Sequence, residues 1–446
     1  MKNQMKGKKG ITLIALVITI IVLLILAGVT IATLTGDNGL LQKATNAKET
    51  SINGEIEEEI KLAWNKVYSD YYLDNSQTKA ERLEKELSNN AKVTEVGNKL
   101  NISNYKNINK TFILDIEKGS LDVKQPSTVE QAITNGTIFN EKNTQLTDEY
   151  ENTVVIPKGF KLSKDSADVV TEGIVIEDAT YTDTIGSQFV WIPVSKDNNE
   201  ENKIKGATKN TTILLSRYKF GTNGVPDDKE ASTIDNYFTE LSNSSYRNAV
   251  AKTDVKSANG FIAKTNAAGG FWIGRYEART TSSTARSSHI DPLTAVTEKP
   301  EYAVYNYIRQ PDASAKARTM YEENNYFESD LTNSYAWDTA ILFLQEYDNR
   351  EGTNLTPYSR QNSINTGSLL ETGTVSESNK DKICNVYDMA SNCFEWTTET
   401  SSSSNGPCVG RGGLFSRSDV YTSFRYSDDS SFAHGSYSFR PILYIK

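Results

Sequence analysis

The sequence predicts an α+β chain: a long N-terminal helix with a small sheet, then a loop-rich domain of short strands. Three observations carry this. An apolar run from Ile11 to Leu34 is followed, after a break at Gly36-Asp37-Asn38-Gly39, by a stretch with helical period. Short strand-like pieces then recur from Val154 onward, among them VVIPKGF and SQFVWIPV. Near the end, Phe394-Glu395-Trp396-Thr397 alternates large apolar and polar residues as a half-buried strand does.

A chain of 446 residues is long enough for two or three domains. Its net charge of −9, with cations scattered beyond Lys2, Lys6, Lys8 and Lys9, argues against binding a phosphate backbone, so no nucleic-acid partner is expected. The three cysteines, Cys384, Cys393 and Cys408, lack the C-x-x-C spacing of a zinc or redox site. Only His289 and His434 can supply imidazole, which makes a histidine-based metal site improbable.

Residues 1–10 are basic and end in glycine, and no charge follows until Asp37. At ~1.5 Å per residue the run Ile11–Leu34 covers the ~30 Å hydrocarbon core of a bilayer. An ordinary anchor or an uncleaved signal sequence would account for it. A cleaved secretory signal fits poorly, because the apolar region is too long and the glycine junction precedes it. The junction KKG-ITLIALVITIIVLLILA resembles the class III leader of type IV prepilins. That resemblance implies a leader at 1–10, cleavage between Gly10 and Ile11, N-methylation of Ile11, and a transmembrane pilin helix at 11–35. Such pilins carry Glu at the fifth mature position, where it pairs with a neighbour's terminal ammonium, and this chain has Ala15. A minor or tip subunit, or a pilin-processed anchor, fits better than a major pilin.

Residues 36–125 read as a helical stalk and small β body. Ile52, Ile56, Ile60, Ala63, Val67 and Tyr71 fall on one face of an amphipathic helix, with most of the Glu55–Glu59 acidic run on the other side. Thr78–Leu87 is a second short helix. FILDI and SLDV form a hairpin turning at Glu117-Lys118-Gly119. Residues 126–153, polar and rich in Asn and Thr, read as a linker.

Over 154–446 four blocks occur in order: Phe189–Val194, Gly269–Glu277, Ser334–Ile341 and VYDMASNCFEW at 386–396, closed by Arg411-Gly412-Gly413 and by Phe439-Arg440-Pro441. Together they resemble the formylglycine-generating-enzyme (sulfatase-modifying-factor) family, which implies a C-type-lectin-like fold. Trp191, Trp272, Trp337 and Trp396 are expected in the core, and Leu331, Ala336, Ala340, Ile341 and Leu344 on a buried helix face. Glycines in the RGG block suggest a bulge or a close backbone approach.

Catalytic members of that family oxidise a substrate cysteine with copper held by two cysteines between RGG and FRP; this interval contains none. No catalytic residue, cofactor or metal ligand is therefore expected, with a structural calcium left open by the resemblance. Cys393 and Cys408 flank the hairpin joining the two strands and are expected to form a disulfide; Cys384 is expected as a small buried residue. In the variable-protein branch of the family, diversified by retroelements, the corresponding segment forms the binding face. That resemblance nominates Ser416, Ser418, Asp419, Tyr421, Tyr426, Asp428, Asp429, Phe432, His434 and Tyr437, residue types that serve paratopes well. Arg411, Arg425 and Arg440 are expected to pair with carboxylates or carbonyls inside the domain. The whole reads as a bacterial surface protein, on the outer face of the cell membrane or at a pilus tip, displaying a non-catalytic head. Its expected partners are a surface protein or glycan and other pilins or the pilus-assembly machinery. A formylglycine-generating-type oxidase or related non-haem iron enzyme, and a purely structural minor pilin, remain as alternatives.

Overall fold

The structure is a computed structural model that describes residues 40–228 apart from 72–75, 89, 109 and 125, then 238–240, and 258–446 apart from 280–284, 286, 288–303, 323, 351–354 and 374–380. The leader, Gly10, Ile11, Ala15 and the apolar run to Leu34 lie outside the described residues. Among the described residues no helix is long and apolar enough to cross a membrane. Helix and sheet are both present, and the chain divides into two compact units between Pro126 and Ser127.

In the first unit, helix α1 (Leu40–Tyr71) buries Ile56, Ile60 and Val67 as its period requires, and adds Trp64. Helix α2 (Lys79–Leu87) starts where Thr78 closes a capping box with Glu81, each satisfying a backbone N–H of the other. Both helices share a core with the antiparallel sheet β1 (Lys92–Val96), β2 (Lys99–Ser103), β3 (Thr111–Asp115) and β4 (Leu121–Lys124). The β3–β4 turn lies where the sequence places it. Glu117 and Lys118 donate their N–H groups to Asp115 Oδ1, and Gly119 takes a left-handed φ of +63°. The β1–β2 hairpin, with Val93, Leu100 and Ile102 buried, is an addition to the expected pattern.

The second unit begins immediately, which corrects the expected linker. Residues 128–135 form α3 (Thr128–Asn135), capped by Ser127 and Glu130 and ended by left-handed Gly136. After it come hairpin strands β5 (Thr144–Thr147) and β6 (Thr153–Ile156). Val129, Ala132 and Leu146 bury into the large core. The polar residues between them are structural: Asp148 accepts the N–H groups of Asn152 and Val170, and Asn152 exchanges two hydrogen bonds with the Lys205 backbone. Polarity here reflects internal hydrogen bonding, not a solvated tether.

The chain continues through β7 (Phe160–Leu162), β8 (Val175–Asp178) and β9 (Gln188–Pro193), then two ribbons, β10 (Ile204–Lys205) with β11 (Asn210–Thr211) and β12 (Lys219–Phe220) with β13 (Pro226–Asp228). After β14 (Phe238–Glu240) come α4 (Ala258–Ala268), β15 (Gly270–Gly274), α5 (Gln310–Thr319), β16 (Phe327–Leu331), α6 (Ser334–Glu346) and the ribbon β17 (Lys382–Ile383) with β18 (Val386–Tyr387). The last strands are β19 (Phe394–Ser401), β20 (Cys408–Arg411), β21 (Arg425–Asp428), β22 (Tyr437–Phe439) and β23 (Pro441–Ile445).

One antiparallel sheet runs β16-β23-β15-β9-β8-β7, so the last strand of the chain lies inside it, between β16 and β15. Trp272 stands opposite Trp191 and Leu443 there. The second sheet runs β14-β19-β20-β21, with β22 parallel to β19. All four expected core tryptophans are fully buried, as are Ala336, Ala340, Ile341 and Leu344 of α6, whereas Leu331, expected on the same helix face, is buried as the last residue of β16. Asn333 caps that helix by accepting the N–H of Ala336.

Candidate binding face

Beneath the expected binding segment lies an ionic layer. Asp338 on α6 and Glu399 on β19 are fully buried. Arg411 of β20 donates to Asp338 Oδ1 at 2.5 Å and to Glu399 Oε2 at 3.1 Å; Arg425 of β21 donates to Asp338 Oδ2 at 2.5 Å and to Glu399 Oε1 at 2.9 Å. Arg217 adds a 2.5 Å bond to Glu399. Burial alone would raise the Glu399 carboxyl, but Arg425, Arg411 and Arg217 outweigh it and hold it at about 2. A second frame clamps the chain end: Arg440 forks onto Glu395 at 2.5 and 2.9 Å and donates to the carbonyls of Gly274 and Tyr387. The three arginines expected to pair inside the domain therefore do so.

The glycines of the RGG block serve close approach, as expected. A Cβ on Gly413 would lie 1.9 Å from the Ala390 carbonyl oxygen, and Gly412 has φ +86°. Gly410 leaves room for Tyr437, whose ring a Cβ there would meet at 2.8 Å.

Above these frames sits an aromatic layer. Tyr426 stacks on Phe394 with centroids 5.5 Å apart and planes within 8°. Phe432 stacks on His434 at 5.8 Å, and His434 Nδ1 lies 2.7 Å from Ser436 Oγ. Ser416, Ser418, Asp419, Tyr426, Asp429 and His434 are exposed, while Tyr421, Asp428 and Phe432 are half-buried. Asp419 is gripped by Arg417 at 2.8 and 2.5 Å, and Arg360 covers the Tyr421 ring at 3.8 Å.

Tyr437 departs from expectation. It is 3% exposed, stacks on Trp396 at 4.2 Å, and donates its hydroxyl to Asp428. It points inward with the β22 core residues and supports the face without being part of its surface.

The disulfide is also corrected. Cys393, Cys408 and Cys384 are buried free thiols. Cys393 immediately precedes β19, whereas Cys408 pairs with Thr400 near that strand's far end. Seven residues at ~3.3 Å each separate them along the strand, far beyond disulfide reach. Cys408 Sγ faces Gln310, and Cys393 Sγ faces the Gly435 carbonyl. Burial, reinforced by Glu277, Glu395 and Asp388, pushes the Cys393 thiol up and keeps it protonated.

No family model, curated protein or solved structure matches this chain.

Geometry adds three residues to the face that carry no local sequence signal: Arg360, Arg417 and Tyr307. Tyr307 is 67% exposed at a left-handed φ of +51°, and its N–H donates to the His434 carbonyl. Its ring lies over Gly435, where a Cβ would sit 3.0 Å away. Only the fold brings 307 and 434 together. Among the described residues no group of three His, Cys, Asp or Glu is arranged to hold a metal ion. What the face offers chemically is ring surface ringed by short polar groups, on a base fixed by ion pairs.

Proposed function

We propose that this chain is a pilin-processed bacterial surface protein, anchored in the membrane or at a pilus tip, whose second unit is a non-catalytic ligand-binding head of C-type-lectin-like, formylglycine-generating-enzyme type. The single observation carrying the reading is the separation of layers: Tyr426, His434 and Tyr307 are exposed with Phe432 half-buried beside them, and the Arg411–Arg425–Asp338–Glu399 frame holds the backbone from inside. Exposed aromatic and short polar side chains give large contact area at low entropic cost, as in antibody loops. Because the frame does not use them, the outer residues are free to vary, which suits a target of a diversity-generating retroelement. The leader junction and the absence of cysteine from 412–439 support export and a non-catalytic role.

The test uses the full chain displayed on its own cells. The mature protein should begin at N-methylated Ile11 by mass spectrometry. The displayed chain should capture a ligand from arrays of extracellular proteins and glycans, with capture lost in Tyr426→Ala and Tyr307→Ala. Dioxygen consumption by the chain with a thiol peptide and copper would overturn the non-catalytic reading, and an intact leader would overturn the processing.

A further inference from the structure

A second recess lies in the second unit, built from other elements than the face above. It is a cleft of about 600 Å³ between the β8–β9 loop (Thr180–Thr184) and residues that follow α5 (Met320–Glu322 and Asn324–Tyr326), lined also by Lys158 and Gly159. That volume falls within the range of small-ligand sites, about 300–1,000 Å³.

Its walls are fixed by one buried carboxylate. Asp178, 1% exposed, accepts the N–H groups of Thr180 and Tyr181 and the Thr184 hydroxyl from one wall, and the Tyr321 hydroxyl from the other. A further bond crosses between walls: Asn324 Nδ2 donates to the Tyr181 hydroxyl at 2.6 Å, and that hydroxyl donates to the Lys158 carbonyl. Gly159, with φ +90°, lets the Thr180–Tyr181 wall pack directly on the backbone. A Cβ there would lie 2.4 Å from Thr180 Oγ1 and 2.5 Å from the Tyr181 ring. The recess is thus held to one shape before any ligand arrives, which lowers the ordering cost of binding.

The lining identifies the ligand class. Two half-buried rings, Tyr181 and Tyr326, line the cleft, Tyr326 with one face already under the Lys158 ammonium and the other left for stacking. Asn140, Thr182 and Asn325, all exposed, offer amide and hydroxyl groups that both donate and accept. Charge argues against an anion: Asp183 and Glu322 outnumber Lys158, whose ammonium already lies 4.5 Å from the Tyr326 ring centre. An extended peptide is disfavoured too. The neighbouring edge strand β7 is already covered by a bridge between Ile138 and Lys161, leaving no open ladder to extend. A pyranose matches what remains. Its C–H face complements the negative face of a tyrosine ring, and its hydroxyls match side-chain amides.

We propose that this cleft is a saccharide-binding site for a short, neutral oligosaccharide, separate from the aromatic face of β19–β22. The test is saturation-transfer NMR on the full chain in dodecylphosphocholine micelles, with maltotriose, cellotriose and chitotriose as probes and tetra-alanine as the peptide control. At least one trisaccharide should receive saturation, strongest at its ring C–H protons. Tyr326→Ala should weaken that binding about tenfold, the loss expected for one stacked ring. Asn325→Ala should weaken it several-fold without lowering the melting temperature, and Tyr426→Ala should leave it unchanged. No transfer to any of the three sugars, transfer to tetra-alanine instead, or sugar binding unaffected by both cleft variants would overturn the assignment. Because Tyr426 is the control, failure here is distinguishable from failure of the binding-face reading.

Discussion

Arg425 and Tyr426 are neighbours in β21 that face opposite ways. The guanidinium of Arg425 bonds Asp338 and Glu399 at 2.5 and 2.9 Å, while the Tyr426 ring lies outside, flat on Phe394. Period-two alternation makes one residue part of the frame and the next part of the surface.

Tyr426→Ala should therefore separate binding from stability. Losing one stacked, 38% exposed ring should cost about 1 kcal/mol of folding free energy in urea titrations, while ligand capture falls at least tenfold.

Arg425→Met should do the reverse and damage the fold. It leaves two buried carboxylates sharing fewer cations, a loss of about 3–5 kcal/mol. Adding Glu399→Gln should lower stability further in denaturant melts, because Arg411 and Arg217 still bond Glu399 and would then face Asp338 as the one remaining carboxylate of the frame. Glu399 itself is held low, so its contribution is complete above the unfolded pKa of ~4.3 and fades as pH falls toward about 2.

Asp388 should show the opposite pH dependence. Burial, with the neighbouring Asp381 carboxylate adding, raises it to about 7. Its folded form holds a proton that the unfolded form releases near ~3.9. From this group alone, stability is greatest below about pH 4 and is lost as pH rises through 7. Asp388→Asn should flatten that slope, stabilising the protein at pH 8 with little change at pH 4. Chemical denaturation at the two pH values measures it.

Thiol titration checks the cysteines. Without reductant, all three should react in denaturant and none rapidly in the native state, and reduction should leave the mass unchanged. A two-dalton mass gain on reduction would restore the Cys393–Cys408 bond.

What the sequence made legible was mostly local. Ile56, Ile60 and Val67 follow the helical period, Thr78–Leu87 reads as a short helix, and Gly119 marks its turn, because each depends on residues a few positions away. The four tryptophans were readable as core from size alone. Long-range choices were not. Whether Tyr437 faces in or out depends on the parallel register of β22 with β19, and whether two cysteines meet depends on strand length as well as order. Tyr307 joins the face only because a segment far from His434 in sequence folds against it. The segment 126–153 misled because an Asn/Asp-rich composition serves internal hydrogen bonds as readily as solvent.

The position of β23 constrains how the protein can be made. Pro441–Ile445 fills the gap between β16 and β15, so the six-stranded sheet stays divided until these residues have been made. A nascent chain that stops short of Pro441 therefore cannot close this sheet. Nascent chains arrested ahead of Pro441 should remain protease-sensitive across this unit, whereas released full-length chains should become resistant.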